Sequence, residues 1–279
     1  MKMIKTALLT AILLLSGCSL GDGRPAAEDL DLALAGMDGR DAVSFEGSAA
    51  LLVAGKPVEE SALYYGGKLQ DHNRVSLYSL LPDGKGGPEA AAGQRLQQLE
   101  QSGTAGSTYY TSLVKKDGEW KPHQPAALQE GAGTLAALNP LRQLEELQEK
   151  DKEVTEEAGS AGGSRVLRVR LSSAAAKQQL VQQLEQEMQA VRPGTSDAGY
   201  AAQPAEVRSA MNNLWLRKSG ELKQKLDKAE VTSVYFLKVD TRRNLPKRLT
   251  WTRTVRYPGA SGTSAEEAFV TKVDFYGYQ

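Results

Sequence analysis

The chain has 279 residues, of which 41% are hydrophobic and 24% are charged, with 34 lysine and arginine against 34 aspartate and glutamate side chains. This composition is typical of a folded protein of one or two domains and excludes a disordered or fibrous chain. The even charge balance, without any block of five basic residues, argues against nucleic-acid binding. One cysteine excludes an internal disulfide, and two histidines far apart in sequence argue against a metal centre.

The first seventeen residues have the features of a bacterial export signal. Lys2 and Lys5 precede an apolar run from Ala7 to Leu15. This run of about nine residues is too short for a transmembrane helix, which needs about 20. Its end, Leu15-Ser16-Gly17-Cys18, resembles the lipobox of bacterial lipoproteins. The resemblance implies that residues 1–17 are removed and that Cys18 carries a diacylglyceryl group.

The predicted lipid at Cys18 would hold the mature protein at a cell membrane, on its extracytoplasmic side. Two acyl chains anchor a protein stably where one chain is marginal. Loss of Lys2 and Lys5 leaves 32 basic against 34 acidic side chains, a formal charge of −2, so attraction to anionic lipid is not the tether. Residues 18–27, which include the lipidated cysteine, predict a flexible spacer, and residues 28–279 predict a single domain.

The rest of the chain changes between the two-residue period of strands and the helical period. Asn139 followed by Pro140 is typical of a helix start, and Gly220 weakens the continuity of the last helix. The predicted helices are Glu28–Met37, Pro88–Gln101, one from Asn139 through Leu147, one from Ser172 or Ser173 to Val191, and Ala205–Lys228. The predicted strands are Val43–Val53, Val58–Tyr65, Arg74–Leu81, Ser107–Lys116, Trp120–His123, Lys152–Glu157, Arg165–Ser172, Val231–Asp240, Lys247–Tyr257 and Ala265–Tyr276.

These elements predict one α+β domain. No repeat of fixed period is visible, and no internal linker is long enough to require two domains. We expect a strongly curved antiparallel sheet of about eight to ten strands, with helices packed on its concave face.

The order of the elements behind a lipobox resembles that of the LolA/LppX-like lipoproteins and lipoprotein carriers. The residues that carry this likeness are Val43-Ser44-Phe45-Glu46-Gly47, Asn139-Pro140-Leu141, the strand Val234 to Asp240, and Leu245-Pro246-Lys247-Arg248. The resemblance implies a half-open barrel closed by helices, with an apolar hollow that receives acyl chains in some relatives. Other relatives are sensors that pair with anti-sigma factors. The family has no catalytic signature to transfer.

Charged side chains supply no catalytic pattern. The sequence lacks the G-x-S-x-G, H-E-x-x-H, P-loop and Rossmann motifs, so the chain is predicted not to be an enzyme and no cofactor is expected. The acids from Glu145 to Glu157 predict a solvated face. The basic residues between Arg242 and Arg256 predict a solvent-facing sheet surface, with phosphate binding as the alternative. Arg253 is the exception, because it alternates with apolar residues; it predicts either pairing with a buried acid or a place at the mouth of a cavity.

Two functions remain open. The first is an extracytoplasmic lipoprotein that binds a lipid or another hydrophobic ligand in an apolar pocket. The second is a sensor or interaction lipoprotein that docks an envelope protein. The predicted ligand-binding residues are Met211, Leu214, Trp215, Leu222, Trp251 and Arg253, although packing against the protein's own core is the simpler explanation for the first four. A large apolar cavity favours the first function, and a dense core beside an exposed apolar patch favours the second.

Overall fold

The computed structural model describes residues 24–80, 110–123, 132–158, 162–194, 198–258 and 265–279. Its helices are α1 (Ala26–Asp38), α2 (Ala132–Ala137), α3 (Pro140–Glu149), α4 (Ser173–Ala190), α5 (Ala198–Ala201) and α6 (Ala205–Lys228), with one 3₁₀ turn, Glu59–Ser61. Its strands are β1 (Val43–Val53), β2 (Lys56–Pro57), β3 (Leu63–Gln70), β4 (Arg74–Leu80), β5 (Tyr110–Lys116), β6 (Glu119–Pro122), β7 (Lys152–Glu157), β8 (Ser164–Leu171), β9 (Glu230–Asp240), β10 (Leu245–Tyr257) and β11 (Ala265–Tyr276). The predicted cleavage site at Cys18 and the predicted helix Pro88–Gln101 lie outside the described residues.

All strands belong to one sheet of eleven strands in the order β6-β5-β4-β3-β1-β11-β10-β9-β8-β7, with the short β2 paired to β1. Every pairing is antiparallel. The first and last strands of this order are not paired with each other within the described residues, so the sheet is not closed. The α+β class and the antiparallel sheet are confirmed, but the predicted eight to ten strands are one too few.

One face of the sheet is buried because apolar side chains alternate along each strand. Along β9 the buried positions are Val231, Ser233, Tyr235, Leu237 and Val239. Helix α1 lies against β10 and β7, α2 lies against β4 and β5, and α4 lies against β9 and β8. The predicted packing of helices on one face of the sheet is therefore confirmed, and we call this the helix-covered face.

Two predicted helix starts are confirmed by their caps. The Asn139 side chain accepts a hydrogen bond from the Leu141 amide at 3.1 Å, and the Ser172 side chain accepts one from the Ala175 amide at 3.3 Å. These bonds satisfy amides that have no partner inside the helix. Gly220 does not interrupt α6, which is continuous from Ala205 to Lys228.

The predicted strand Val58–Tyr65 is wrong over its first half. Ser61 accepts a hydrogen bond from the Leu51 amide at 2.8 Å and donates one to the Val58 carbonyl at 2.6 Å. These bonds close a 3₁₀ turn before β3, which begins only at Leu63. A side chain that hydrogen-bonds to nearby backbone groups competes with the hydrogen bonds between strands. The two-residue alternation of apolar residues gives no sign of this competition.

Candidate ligand-binding groove between two helices

Helices α4 and α6 form an antiparallel pair beside the sheet, which we call the helix pair. Lys177 of α4 donates a hydrogen bond to the Asp227 carbonyl of α6 at 2.8 Å. Eleven residues farther along α4, the Met188 carbonyl accepts a hydrogen bond from the indole of Trp215 at 2.8 Å. The two contacts hold the helices side by side over about three turns.

A groove of about 930 Å³ runs between the two helices of the pair. Its apolar lining consists of Val181, Leu184, Met188, Leu222 and Leu226. Glutamines and charged side chains, among them Glu185 and Lys223, line the rest. Clefts of about 300–1,000 Å³ with a mainly apolar lining and a few polar groups are the usual binding sites for small hydrophobic ligands.

Most of the apolar surface of α6 is not covered by the described part of the chain. Leu226 is its one buried residue there, whereas Met211 and Leu214 are 41% and 49% exposed. Trp215 is half-buried, and the Arg192 guanidinium lies 4.9 Å from the centre of its ring. The predicted core packing of Met211 and Leu214 is therefore wrong, because no described element covers them.

Trp251 lies in β10 on the helix-covered face and is buried in the core. Its ring stacks on that of Tyr235 at 5.5 Å, and the edge of Phe269 meets it at 5.8 Å. Its indole donates a hydrogen bond to the Ser233 hydroxyl at 2.7 Å. Burial raises the pKa of the neighbouring Tyr235 to about 12. Trp251 is thus a packed core residue with its polar atom satisfied.

Arg253 is buried two residues farther along the same strand, with 7% of its surface exposed. Its guanidinium donates a hydrogen bond to the Gln183 side-chain oxygen at 2.7 Å and lies 5.1 Å from the centre of the Trp251 ring. In the described structure no carboxylate oxygen lies within 4.0 Å of it, so the predicted pairing with a buried acid is wrong. Burial lowers its pKa, because the charged form loses its water.

The predicted ligand-binding residues do not form one site. Leu222 lines the groove and Trp215 lies beside it, but Met211 and Leu214 point to solvent. Trp251 and Arg253 lie on the sheet side of α4, since Gln183 bonds to Arg253 whereas the adjacent Gln182 and Leu184 line the groove. Helix α4 therefore separates the two groups.

The sequence prediction missed the α4 side of the groove, formed by Val181, Leu184 and Met188. The available signal was the apolar stripe along α4, which is the same for a helix that packs on the sheet and for one that also borders a groove. The pairing of α4 with α6 is what turns part of the stripe into a groove wall.

A second, much smaller cavity of about 60 Å³ lies between α3, α4 and β10. It is polar: Gln143, Glu146 and Gln179 line it, and Gln179 donates a hydrogen bond to Glu146 at 2.8 Å. Gln143 is buried and neither polar atom of its side chain has a hydrogen-bond partner among the described residues. A cavity of this size and polarity suits water rather than an apolar ligand.

The acids of α3 are only partly a solvated face. Glu145 is half-buried and accepts hydrogen bonds from Lys115 at 3.1 Å and from the Trp120 indole at 2.9 Å. Glu146 is also half-buried and pairs with Arg142 at 2.9 Å. The sequence prediction failed here because β5 and β6, which supply Lys115 and Trp120, are distant in the chain.

No cluster of three or more His, Cys, Asp or Glu side chains suited to a metal ion occurs in the described ranges. Over the same ranges, no helix combines the length and the apolar character that crossing a membrane requires.

No protein-family model matches the chain, and no curated protein matches it. Among solved structures, it is similar to LprF from Mycobacterium bovis, with 8% identity and a TM-score of 0.33 over 92% of this chain and 95% of that one. It is also similar to the LolA superfamily protein NE2245 from Nitrosomonas europaea, with 9% identity and a TM-score of 0.26 over 92% and 94% of the two chains.

A further similarity is to a structure titled for lipid–protein interactions in lipovitellin, with 9% identity and a TM-score of 0.35 over 85% of this chain. This chain spans 25% of the length of the lipovitellin chain.

Proposed function

We propose that this protein is an extracytoplasmic, non-enzymatic lipoprotein that binds a lipid or another hydrophobic ligand in the groove of the helix pair. The observation that carries the proposal is the groove itself, about 930 Å³, whose lining includes five leucine, valine and methionine side chains among polar ones. An acyl chain in this groove would gain about 0.8 kcal/mol for each buried CH₂ group. In this proposal the curved sheet is a half-open barrel that serves as the rigid support of the helix pair.

Polar groups at the groove suit a ligand with a polar end. Glu185, Lys223 and Asp227 lie among the lining residues, so a headgroup can stay hydrated or paired while its chain is buried. The affinity would come from the apolar area buried, less the cost of ordering the ligand.

The test uses the chain without residues 1–18 and a fluorescent sixteen-carbon fatty acid. We expect saturable binding near one ligand per chain, together with co-purified lipid in native mass spectrometry. Ser219→Trp should abolish uptake, since Ser219 lines the groove and the larger side chain would fill it. Asn213→Trp places the same side chain at an exposed position of the same helix outside the groove, and it should bind like the unmodified chain. Absence of lipid and of probe binding in the unmodified chain would sink the proposal.

The anchoring part of the proposal rests on Cys18 and its lipobox. We expect the full chain, expressed in a bacterium, to be found in the membrane fraction with the mass of a diacylglyceryl group on Cys18. Cys18→Ser should abolish both the added mass and the processing at residue 17. A membrane-bound Cys18→Ser protein would show that another feature holds the chain.

Docking of an envelope protein is the second candidate, and exposed apolar side chains favour it. Val207, Met211 and Leu214 occur four and three residues apart on α6 and are all at least 40% exposed. The variant Met211→Lys/Leu214→Lys separates the two functions. It lies outside the groove, so it should leave uptake of the fatty acid unchanged and should disrupt only a protein contact.

A further inference from the structure

The chain between Cys18 and the folded domain is short. Arg24 is six residues beyond Cys18, and a fully extended chain covers at most about 3.3–3.6 Å per residue. The Cα atom of Arg24 is therefore no more than about 20 Å from that of Cys18. Whatever holds Cys18 lies close to the part of the domain that holds Arg24.

Arg24 lies at one end of the sheet. Its carbonyl accepts a hydrogen bond from Arg165 at 3.2 Å, and Arg165 pairs with Val239 near the end of β9. We call this the turn end, because β9 turns here into β10. The helix pair joins the opposite end, where α6 is followed directly by Glu230. The eleven residues of β9 separate the two ends by about 33 Å.

Three arginines lie at the turn end. Arg242 and Arg243 are exposed in the β9–β10 turn, and Arg40 follows α1. The Arg242 side chain lies beside Gly163, two residues from Arg165. Arg243 and Arg40 both lie near the phenol of Tyr278. Burial raises the pKa of Tyr278, and the positive charges of the two arginines oppose this rise.

Most carboxylates of the turn end are already paired. Asp29 pairs with Arg24 and Arg165, and Asp240 pairs with Lys247 at 2.9 Å and accepts the backbone amides of the turn. Asp41 pairs with His72 at 2.6 Å. In the described part of the chain, Arg40, Arg242 and Arg243 have no carboxylate oxygen within 4.0 Å. Arg242 and Arg243 are exposed, and Arg40 is half-buried with its Nε donating to the Gly36 carbonyl at 3.4 Å, so none of the three charges is neutralised by a described carboxylate.

We propose that Arg40, Arg242 and Arg243 contact anionic phospholipid headgroups of the membrane that holds Cys18. The turn end of the sheet then faces the bilayer, and the groove of the helix pair lies about 33 Å farther away, open to ligands from the surrounding space. Each arginine near an anionic surface strengthens the contact by about fivefold. The proposal rests on the lipidation of Cys18 put forward above; the lipid supplies the tether and the arginines set the orientation.

The experiment uses the full lipidated chain in vesicles. Cys18 is the single cysteine, and in the lipidated chain its sulfur would be blocked by the thioether bond to the diacylglyceryl group, so an introduced cysteine is a unique labelling site. Lys238→Cys and Thr232→Cys are both exposed on the outer face of β9, six residues apart, near the turn end and the helix-pair end respectively. Each variant carries a fluorophore, and the vesicles contain a lipid with a quencher in its headgroup.

In vesicles with phosphatidylglycerol we expect strong quenching at position 238 and little at 232. Arg40→Gln/Arg242→Gln/Arg243→Gln should reduce quenching at 238 to its value in pure phosphatidylcholine vesicles. A matched loss of three charges, Arg170→Gln/Arg217→Gln/Lys228→Gln, should leave it unchanged, since these exposed residues lie elsewhere. Equal quenching at the two positions, or no effect of the three arginines, would overturn the orientation alone. A chain without the diacylglyceryl mass on Cys18 would overturn the anchoring and the orientation together.

Discussion

The helix-covered face of the sheet and the helix pair bury their apolar residues to very different degrees. On the sheet, Tyr65, Tyr235 and Leu237 have no exposed surface at all, whereas α6 exposes about half of Leu214 and Leu216. Both regions have amphipathic sequences. The difference teaches that an apolar stripe predicts burial only where a second element is present to cover it.

The largest expected effect contrasts one leucine from each region. Leu237→Ala should lower the free energy of unfolding by about 3 kcal/mol, because it leaves a cavity in a fully buried site. Leu216→Ala, at a position 52% exposed, should change it by less than about 0.5 kcal/mol. Urea denaturation followed by circular dichroism measures both. Equal losses for the two variants would mean that α6 packs against something in solution.

The second prediction concerns alkaline pH, where the core should weaken through its tyrosines. Burial raises the pKa of Tyr235 to about 12, whereas an unfolded tyrosine loses its proton near pH 10. The stability that this proton supplies is present below pH 10 and is lost as the pH rises from 10 to 12. Between pH 10 and pH 12, the free energy of unfolding of Tyr235→Phe should therefore fall by about 2 kcal/mol less than that of the unmodified chain.

Denaturation at a series of pH values, with phenol absorbance recorded in parallel, tests this difference. Tyr110→Phe is the control, because this side chain is 46% exposed and should leave the alkaline decline unaltered. If Tyr235→Phe declines as steeply as the unmodified chain, Tyr235 is not held in its neutral form by the core.

The third prediction concerns close packing between strands. A Cβ atom at Gly67 would lie 2.4 Å from the Phe45 ring and 2.5 Å from the Ser76 carbonyl oxygen. Gly67→Ala should therefore destabilise the protein by about 2 kcal/mol, since the core has no room to shift backbone atoms. Thermal or urea unfolding gives the value. An unchanged midpoint would show that β3 and β4 are farther apart in solution.

The smallest expected effect is a gain of stability in the helix pair. Apart from the backbone of α6 itself, no atom of the described residues lies within 4 Å of the Cβ position of Gly220, and alanine is favoured over glycine inside a helix by about 1 kcal/mol. Gly220→Ala should add up to this amount. If the helix pair unfolds together with the sheet, the free energy of global unfolding will increase. If the pair opens separately, only the amide hydrogen exchange of α6 will become slower. A loss of stability would place another atom against Gly220.

Much of the fold could be predicted because its signals are local. The two-residue alternation identified β1, β9, β10 and β11, and the caps at Asn139 and Ser172 identified the starts of α3 and α4. The first half of the strand predicted at Val58 failed because the hydroxyl of Ser61 bonds to the backbone of β1, a contact ten residues away in sequence.

The candidate site was predictable only in part. Leu222, one of the predicted ligand-binding residues, lines the groove, and Arg253 is buried among apolar residues as its alternation with them predicted. Its partner proved to be the amide of Gln183, 70 residues away in the chain, rather than an acid. Nothing in the spacing of residues indicated that α4 would separate Arg253 from Leu222.

By itself the sequence determined the class of the fold and the apolar face of most helices and strands, and it predicts an export signal with a lipobox cysteine. These features depend on residues close together in the chain and on the two-residue or 3.6-residue repeat of strands and helices. They can therefore be inferred from the local sequence. Only the tertiary structure decided which apolar faces are covered, where the groove opens and at which end of the sheet Arg24 lies. Those outcomes depend on contacts between distant residues, and a residue's own periodicity does not specify what will pack against it.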